Sequence, residues 1–176
     1  MKIGIIGTGS MGSILIESFA ASGEVLEEQL VVYNRSTLKT DALKQRFPDI
    51  RVACSATDVI NQTEMTFLCV KPLQFPTVLE QIGSVCPSDH LLVSITSPIA
   101  VEQLEAKVNC KVARAIPSIL NRAQSGPSLL SFGHRCTMND RDILTNLMSV
   151  ISTPLEIDEN ITRVSSDIVS CGPAFF

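Results

Sequence analysis

The segment with the clearest chemical signature is a glycine-rich loop near the start of the chain. It reads Gly7-Thr8-Gly9-Ser10-Met11-Gly12, so its glycines have the spacing GxGxxG. In this pattern the first glycine permits a tight turn, the second lets the backbone approach a pyrophosphate, and the third lets a helix pack closely against a strand. The pyrophosphate then meets the unpaired amides and the positive dipole end of the helix. The loop therefore predicts a dinucleotide site, with a purely structural glycine turn as the alternative.

The second group of candidate site residues follows the next apolar run. An NAD site usually ends this strand with an acidic residue that holds the ribose hydroxyls. The sequence here is Tyr33-Asn34-Arg35-Ser36-Thr37, which contains no carboxylate. Arg35 supplies a positive charge, and Asn34 and Ser36 supply uncharged donors, as a 2′-phosphate requires. We predict that these three residues bind the adenosine half of the cofactor and that NADP(H) is favoured over NAD(H). Alternatively, Ser36 or Thr37 only caps the following helix.

The cysteines and histidines form no recognisable metal or catalytic pattern. The six cysteines are Cys54, Cys69, Cys86, Cys110, Cys136 and Cys171, and no two of them form a CxxC pair. We therefore expect neither a metal site nor a disulfide framework, and interpret the cysteines as buried thiols of a cytoplasmic protein. His90 and His134 have no acid or nucleophile at a recognisable spacing, so both are predicted to be structural. The catalytic residues stay unknown from the sequence.

The elements that must position these residues follow one another regularly up to about position 115. Short apolar runs predict the strands 2–6, 30–33, 51–53, 65–70, 90–94 and 111–115. Amphipathic segments between them predict the helices 10–21, 38–47, 56–61, 75–83 and 100–107. Strands that are apolar almost throughout, such as Met65–Val70, are typical of a parallel sheet covered on both faces. The alternation predicts an α/β fold of the Rossmann type, a doubly wound sheet parallel through its first six strands.

The pattern becomes less regular after Ala115, and the later strands are expected to be antiparallel. We predict a strand over 128–132, a helix over 140–151 with Asn139 as its N-cap, a short strand near 155–157 and a helix over 161–170. Arg163 and Asp167 on the last helix are interpreted as surface or interdomain residues. The chain ends Cys171-Gly172-Pro173-Ala174-Phe175-Phe176, where Pro173 is placed as the first residue of a further helix.

The composition limits the function classes. The chain has 176 residues, 45% of them hydrophobic and 18% charged, with a net charge of −4, which excludes a disordered protein and gives no reason to expect nucleic-acid binding. The apolar run at the start is interrupted by glycines, so a secretory signal is not expected. No stretch approaches the roughly 20 apolar residues of a membrane span.

With these residues in place, the chain resembles the pyrroline-5-carboxylate reductase family over its whole length. The segments that carry the resemblance are 7–12, 34–36, 69–72, 93–95, 114–117 and 170–175. The resemblance implies a homo-oligomer that catalyses NAD(P)H-dependent reduction of 1-pyrroline-5-carboxylate to proline, or the reduction of a related imine. It also implies that Val70, Lys71, Pro72, Ser94 and Thr96 line the cofactor cleft. Lys71 could instead be a solvated loop charge.

The family resemblance also implies a division of the chain into two parts. Residues 1–160 correspond to an NADP-binding domain and residues 161–176 to the start of a connection to an all-helical dimerisation domain that the 176 residues do not include. We therefore expect this chain by itself not to turn over substrate and to associate through the exposed rings of Phe175 and Phe176.

Three departures from the family pattern bear on the reaction. Ser118 and Ile119 stand where an asparagine and a threonine are expected, Pro98 stands at a usual glycine, and Ala56 stands where many relatives carry an asparagine. These changes leave a second function open, a cofactor-binding regulatory protein without reductase activity. Another small-molecule dehydrogenase on the same fold is a third possibility.

Overall fold

Eight strands form one sheet in the computed structural model, which describes residues 1–171. They are β1 (Ile3–Ile6), β2 (Leu30–Tyr33), β3 (Arg51–Val52), β4 (Met65–Leu68), β5 (Leu91–Ser94), β6 (Lys111–Ile116), β7 (Pro127–Phe132) and β8 (Thr153–Glu156). Their order across the sheet is β3-β2-β1-β4-β5-β6-β7-β8. The first six are mutually parallel, β7 is antiparallel to β6, and β8 is parallel to β7. The predicted fold, including the change of direction after β6, is confirmed.

Helices cover both faces of this sheet. The α-helices of the described chain are α1 (Ser10–Ser22), α2 (Thr37–Arg46), α3 (Ala56–Gln62), α4 (Phe75–Ile82), α5 (Val101–Glu105), α6 (Met138–Ser149) and α7 (Thr162–Ser166). Helices α1, α2 and α6 contribute to the hydrophobic core on one face, and α3, α4 and α5 to the core on the other. Short 3₁₀ helices span Glu27–Gln29, Pro72–Gln74, Ile119–Ala123 and Glu159–Ile161.

The central strands are apolar because both of their faces are buried. Every residue of β1, β4 and β5 is buried. Alternate residues of each strand enter the two cores: Phe67 packs with α1 on one side, whereas Leu68 packs with the α3–α5 side. Burying such side chains contributes about 1.5–3 kcal/mol each, so the continuous apolar runs stabilise a sheet enclosed by two helix layers.

Strand β4 is shorter than predicted. The apolar run continues to Val70, but the strand ends at Leu68, and the Cys69 amide makes a last hydrogen bond of 2.8 Å to the carbonyl of Ile6. Beyond this point the backbone lies against the glycine loop, where a Cβ on Gly7 would be 2.7 Å from the Cys69 carbonyl oxygen. Cys69 and Val70 are apolar because they pack against this loop, although they lie outside the strand.

Two predicted helices are corrected. The N-cap of α6 is Thr137 rather than Asn139: the Thr137 hydroxyl accepts from the Asp140 amide at 3.3 Å, and the Asp140 carboxylate accepts from the Thr137 amide at 2.7 Å. This reciprocal capping box fixes the start of the helix two residues earlier than the apolar spacing suggests. The helix predicted over 161–170 is instead the short α7 followed by a π-helix over Asp167–Cys171.

The remaining elements agree with the predictions to within a few residues at their ends. The predicted helix start at Pro173 and the ring pair Phe175 and Phe176 lie outside the described residues. Within residues 1–171, none of the helices has both the length and the apolar character that crossing a membrane requires.

Candidate dinucleotide site

The glycine loop joins β1 to α1, and two of its glycines are required by packing. Gly7 has φ +99°, a left-handed conformation that favours glycine. A Cβ on Gly12 would overlap the carbonyl oxygen of Gly7. Gly9 differs, because a Cβ there would meet no heavy atom within 4 Å. The open side of Gly9 is thus where a ligand can approach the backbone.

The start of α1 carries polar groups that the protein leaves without partners. Gly9 occupies the N-cap position and provides no side-chain cap, so the first amides of the helix lack a protein acceptor from that position. The Thr8 hydroxyl is buried and, among the described residues, has no hydrogen-bond partner. A buried polar atom without a partner is costly. Phosphate oxygens would satisfy both the helix amides and this hydroxyl, so the loop fits the pyrophosphate of a dinucleotide.

Asn34, at the end of β2, connects the glycine loop to the next loop. Its Oδ1 accepts from the Thr8 amide at 3.1 Å, and its Nδ2 donates to the Ser36 carbonyl at 3.1 Å. Asn34 therefore braces the two loops, whereas the sequence had suggested only a ligand donor. Gly7 is held from the same strand, since its amide donates to the Tyr33 carbonyl at 2.8 Å.

Arg35 and Ser36 are exposed beside this brace. Within the described part of the chain, no hydrogen bond or ion pair engages the Arg35 guanidinium. Ser36 is the N-cap residue of α2, yet its hydroxyl makes no capping hydrogen bond. The alternative in which Ser36 serves only as a helix cap is therefore not supported, and both side chains are available to a phosphate group.

A cavity of about 190 Å³ lies between the ends of β1 and β2 and helix α4. Gly7, Tyr33, Asn34, Arg35 and Val70 line one side of it. The opposite side is formed by residues that the sequence reasoning did not select, namely Leu73, Gln74, Thr77, Val78 and Gln81. The signal available for them was their spacing of three to four residues along the 3₁₀ helix Pro72–Gln74 and α4.

The remaining predicted residues continue the same edge of the sheet. Val70 contacts the glycine loop, its Cγ1 lying 3.0 Å from the position of a Cβ on Gly7. Lys71 and Pro72 follow and are exposed. Ser94 ends β5, is fully buried, and accepts from the Thr96 amide at 3.3 Å.

The four predicted segments thus lie side by side at the carboxyl ends of neighbouring strands. Their order is 34–36 after β2, 7–12 after β1, 70–72 after β4 and 94–96 after β5. Doubly wound sheets bind ligands at this edge, at the point where the strand order reverses. Here the order reverses between β1 and β4, since the chain passes from β1 outward to β3 and returns to β4.

The segment after β6 contains buried polar groups that are already used by the protein. The Ser118 amide donates to Asn121 Oδ1 at 2.7 Å, and Asn121 Nδ2 donates to the Ser125 carbonyl at 2.9 Å. The Ser118 hydroxyl accepts from the Leu120 amide at 3.4 Å, and Ile119 is exposed. Asn121, which the sequence reasoning missed, therefore folds this loop onto itself and leaves an apolar side chain facing outward.

Neither histidine lies at this edge. His90 precedes β5 at the opposite edge, where its Nε2 lies 3.0 Å from the Thr66 hydroxyl; burial lowers its pKa to about 4. His134 follows β7, whose end lies beside the start of β6, and it pairs with the buried Glu105. Both positions agree with a structural role. Cys69 does lie at the cleft, but burial raises the pKa of its thiol and keeps it protonated.

The other predicted features are placed as follows. Arg163 and Asp167 form an exposed ion pair of 3.1 Å. Ala56 is buried at the start of α3. Pro98 lies in the loop after β5 and lines a groove of about 650 Å³ between α4 and α5, which borders the cleft through Pro72. In residues 1–171, no three His, Cys, Asp or Glu side chains are placed to hold a metal ion.

The strand order, the glycine loop and the cleft beside it define a Rossmann-type dinucleotide-binding domain. Residues 2–98 match the family described as NADP oxidoreductase coenzyme F420-dependent, and the chain belongs to that family.

Among the relatives that match nearly the whole chain are a competence-operon protein and a reductase. The chain is 49% identical over 175 residues to ComE operon protein 4 of Bacillus subtilis (strain 168), covering 99% of this chain and 64% of that protein. It is 30% identical over 176 residues to pyrroline-5-carboxylate reductase of Escherichia coli (strain K12), covering 99% of this chain and 65% of that protein. The chain thus spans less than two thirds of the length of either relative.

These matches confirm the resemblance to the pyrroline-5-carboxylate reductases. Within that family, the sequences of segments 95–98, 116–119 and 166–175 indicate a likeness to the competence-operon paralogue. The 49% identity to ComE operon protein 4 over 175 residues confirms this likeness.

Solved structures agree in fold. Pyrroline carboxylate reductase of Plasmodium falciparum with NADP bound superposes with a TM-score of 0.89 at 22% identity, covering 99% of this chain and 64% of that chain. The pyrroline-5-carboxylate reductase from Coxiella burnetii gives a TM-score of 0.90 at 19% identity, and the match covers 99% of this chain and 65% of that chain. At these identities the likeness establishes the fold alone.

Proposed function

We propose that this chain is the cofactor-binding part of an NADPH-dependent reductase that acts on 1-pyrroline-5-carboxylate or a related imine. The observation that carries the cofactor assignment is the open side of Gly9 beside the buried hydroxyl of Thr8, which has no hydrogen-bond partner within residues 1–171. The names of the relatives support the substrate class. NADPH, when bound, would supply a hydride to the imine carbon.

The residues of the chain would then bind and orient the cofactor. The loop 7–12 would hold the pyrophosphate, and Arg35 and Ser36 would bind the 2′-phosphate on the β2 side. Residues 70–72 and 94–96, on the β4 and β5 side, would border the nicotinamide half. Since both histidines lie at the other edge, the proton for the imine nitrogen would have to come from a different group.

Calorimetric titration of the chain with NADPH and NADH tests the cofactor assignment. We expect NADPH to bind more tightly than NADH. Arg35→Ala should weaken the binding free energy of NADPH by about 1.5–3 kcal/mol, because a hydrogen bond to a charged group is lost, and should change that of NADH little. Arg46→Ala is the matched control, since Arg46 lies at the far end of α2 and is also exposed. Equal losses for both cofactors would contradict the role of Arg35.

A second function, a cofactor-binding regulatory protein without reductase activity, is favoured by the loop after β6. There Ser118 and Asn121 bind each other and the backbone, and the exposed Ile119 offers a substrate no polar group. A protein extended to the length of the relatives, mixed with NADPH and pyrroline-5-carboxylate, distinguishes the two functions. Loss of the reduced nicotinamide absorbance supports the reductase, whereas cofactor binding without turnover supports the regulatory protein.

We further propose a homo-oligomer in the cytoplasm, with residues 161–176 beginning the connection to a helical domain. The exposed apolar residues Ile161, Val164 and Ile168, spaced three and four apart near the end of the described chain, support a covered surface there. The free thiols among the described cysteines support a reducing compartment.

A further inference from the structure

Arg114 is the largest of the fully buried side chains, with 1% of its surface exposed. It lies on β6 between Ser94 of β5 and Ser131 of β7, its neighbours in the register of the sheet. A guanidinium stays charged in proteins, and a buried charge is costly unless it is paired and hydrogen-bonded. Losing a partner of Arg114 would therefore leave a buried charge uncompensated. We expect this cost to hold the contacts of Arg114 in one geometry.

Arg114 and its ion-pair partner Glu159 together connect five segments of the chain. Arg114 Nη1 lies 2.9 Å from the Glu159 carboxylate, and Nη2 donates to the carbonyl of Ile99. Glu159, in the 3₁₀ helix Glu159–Ile161, also accepts from the Ser131 hydroxyl at 2.8 Å and from the Val101 amide at 3.0 Å. The ion pair thus holds the chain on both sides of Ala100, at a carbonyl before it and at an amide after it.

A local side-chain contact holds part of this stretch, since the Ala100 amide donates to Gln103 Oε1 at 2.9 Å. The loop 95–100 connects β5 to the five-residue helix α5, and the alanine at the N-cap of α5 has no side-chain acceptor. Glu159 supplies the missing acceptor from 58 residues away. Thr96 lies in the same loop, three residues before Ile99, so a carboxylate outside the cleft holds the end of a loop that carries a cleft residue.

We propose that the Arg114–Glu159 ion pair positions the loop 95–100 for the nicotinamide half of the cofactor, which makes both residues positioning residues. This inference rests on the proposed function. The adenosine half is assigned to the β2 side, so the other half extends across β4 toward β5, where this loop lies. Disrupting the Arg114–Glu159 ion pair should therefore weaken the contact with the nicotinamide half of the cofactor and leave the contact with the adenosine half unchanged.

The test uses Glu159→Gln in the 176-residue chain, with two measurements. Hydrogen exchange of the cofactor-free protein should become about tenfold faster or more in the peptide 95–101, because a charge-assisted hydrogen bond is lost there. The dissociation constant for NADPH should rise about three- to thirtyfold, the range for couplings through a side-chain network. The constant for 2′,5′-ADP, which lacks the nicotinamide half, should stay unchanged.

Two further variants keep the result interpretable. Glu156→Gln is the matched control, since Glu156 also pairs with an arginine, Arg141, but on the exposed strand β8. It should alter neither measurement. Ser131→Ala removes one hydrogen bond from Glu159 while leaving the charges in place, and it should give smaller changes in the same direction if Glu159→Gln does not fold.

Unchanged exchange in 95–101, or equal weakening of NADPH and 2′,5′-ADP, would overturn the inference. If the unaltered chain binds neither ligand, the proposed function is refuted and the role toward the cofactor fails with it. The exchange measurement would still decide whether the pair holds the loop.

Discussion

Alanine substitutions of Gly9 and Gly12, made one at a time, should distinguish an effect on cofactor affinity from an effect on stability. At Gly9 the added methyl meets nothing within 4 Å, and φ is −73°, which alanine adopts readily. The gain of about 0.4–1 kcal/mol from a stiffer unfolded chain is offset by a similar loss, because alanine is a poor N-cap residue. The free energy of unfolding should therefore change by less than about 1 kcal/mol in Gly9→Ala. The same methyl would stand where the pyrophosphate approaches the backbone, so NADPH affinity should fall at least about tenfold.

Gly12→Ala should behave in the opposite way. Its methyl would overlap the Gly7 carbonyl oxygen, a backbone atom that cannot rotate aside. Overpacking of this kind costs about 1–3 kcal/mol or more, which for a chain of this size lowers the midpoint of thermal unfolding by about 2–12 °C.

Urea unfolding and calorimetric titration of both variants against the unaltered chain measure the two effects. NADPH binding by Gly9→Ala with unchanged affinity would show that the cofactor does not approach this loop. Unchanged stability of Gly12→Ala would refute the packing argument.

Two further predictions concern stability alone. Burial lowers the pKa of His90 to about 4, below the value near 6.5 of an unfolded chain. The unfolded state therefore binds more protons between these values, and stability should fall by up to about 3 kcal/mol as the pH drops from 6.5 to 4. Urea unfolding at both pH values checks this, and His90→Gln should lessen the dependence. Asp140→Asn should cost about 1–3 kcal/mol, because it weakens the capping box of α6 and the 2.8 Å ion pair with Lys111. The exposed Asp142→Asn, measured in the same unfolding assay, should cost less than about 0.5 kcal/mol.

The strands could be predicted well because their burial leaves a direct mark on the sequence. Strands β4 and β5 are buried at every position, so apolar residues occupy both faces rather than alternate positions. The two polar exceptions, Thr66 and Ser94, are hydrogen-bonded. The same signal misplaced the end of β4. Cys69 and Val70 are apolar for contact with the glycine loop, and a short run of apolar letters does not distinguish that contact from strand pairing.

The candidate site is visible in the sequence where local backbone geometry requires a particular residue, and not where elements distant in the chain meet. Gly7 and Gly12 are fixed by local geometry, and their spacing is visible in the sequence. Thr77 and Gln81 line the cavity beside them, yet on an amphipathic helix they resemble any solvated polar face. Glu159 reaches Val101 across 58 residues, and no local pattern in either segment indicates the contact.

The position at which an NAD site would hold an acidic residue has a different role here, which supports the proposed preference for NADP(H). Asn34 both accepts from the Thr8 amide and donates to the Ser36 carbonyl, which a neutral amide side chain can do at once. An aspartate there could accept but, when ionised, could not donate, so the bond that fixes the loop after β2 would be lost. The brace therefore requires a neutral residue where an NAD site would place its carboxylate. With that position neutral, the charge available to the ribose region comes from Arg35, which favours a ligand carrying a 2′-phosphate.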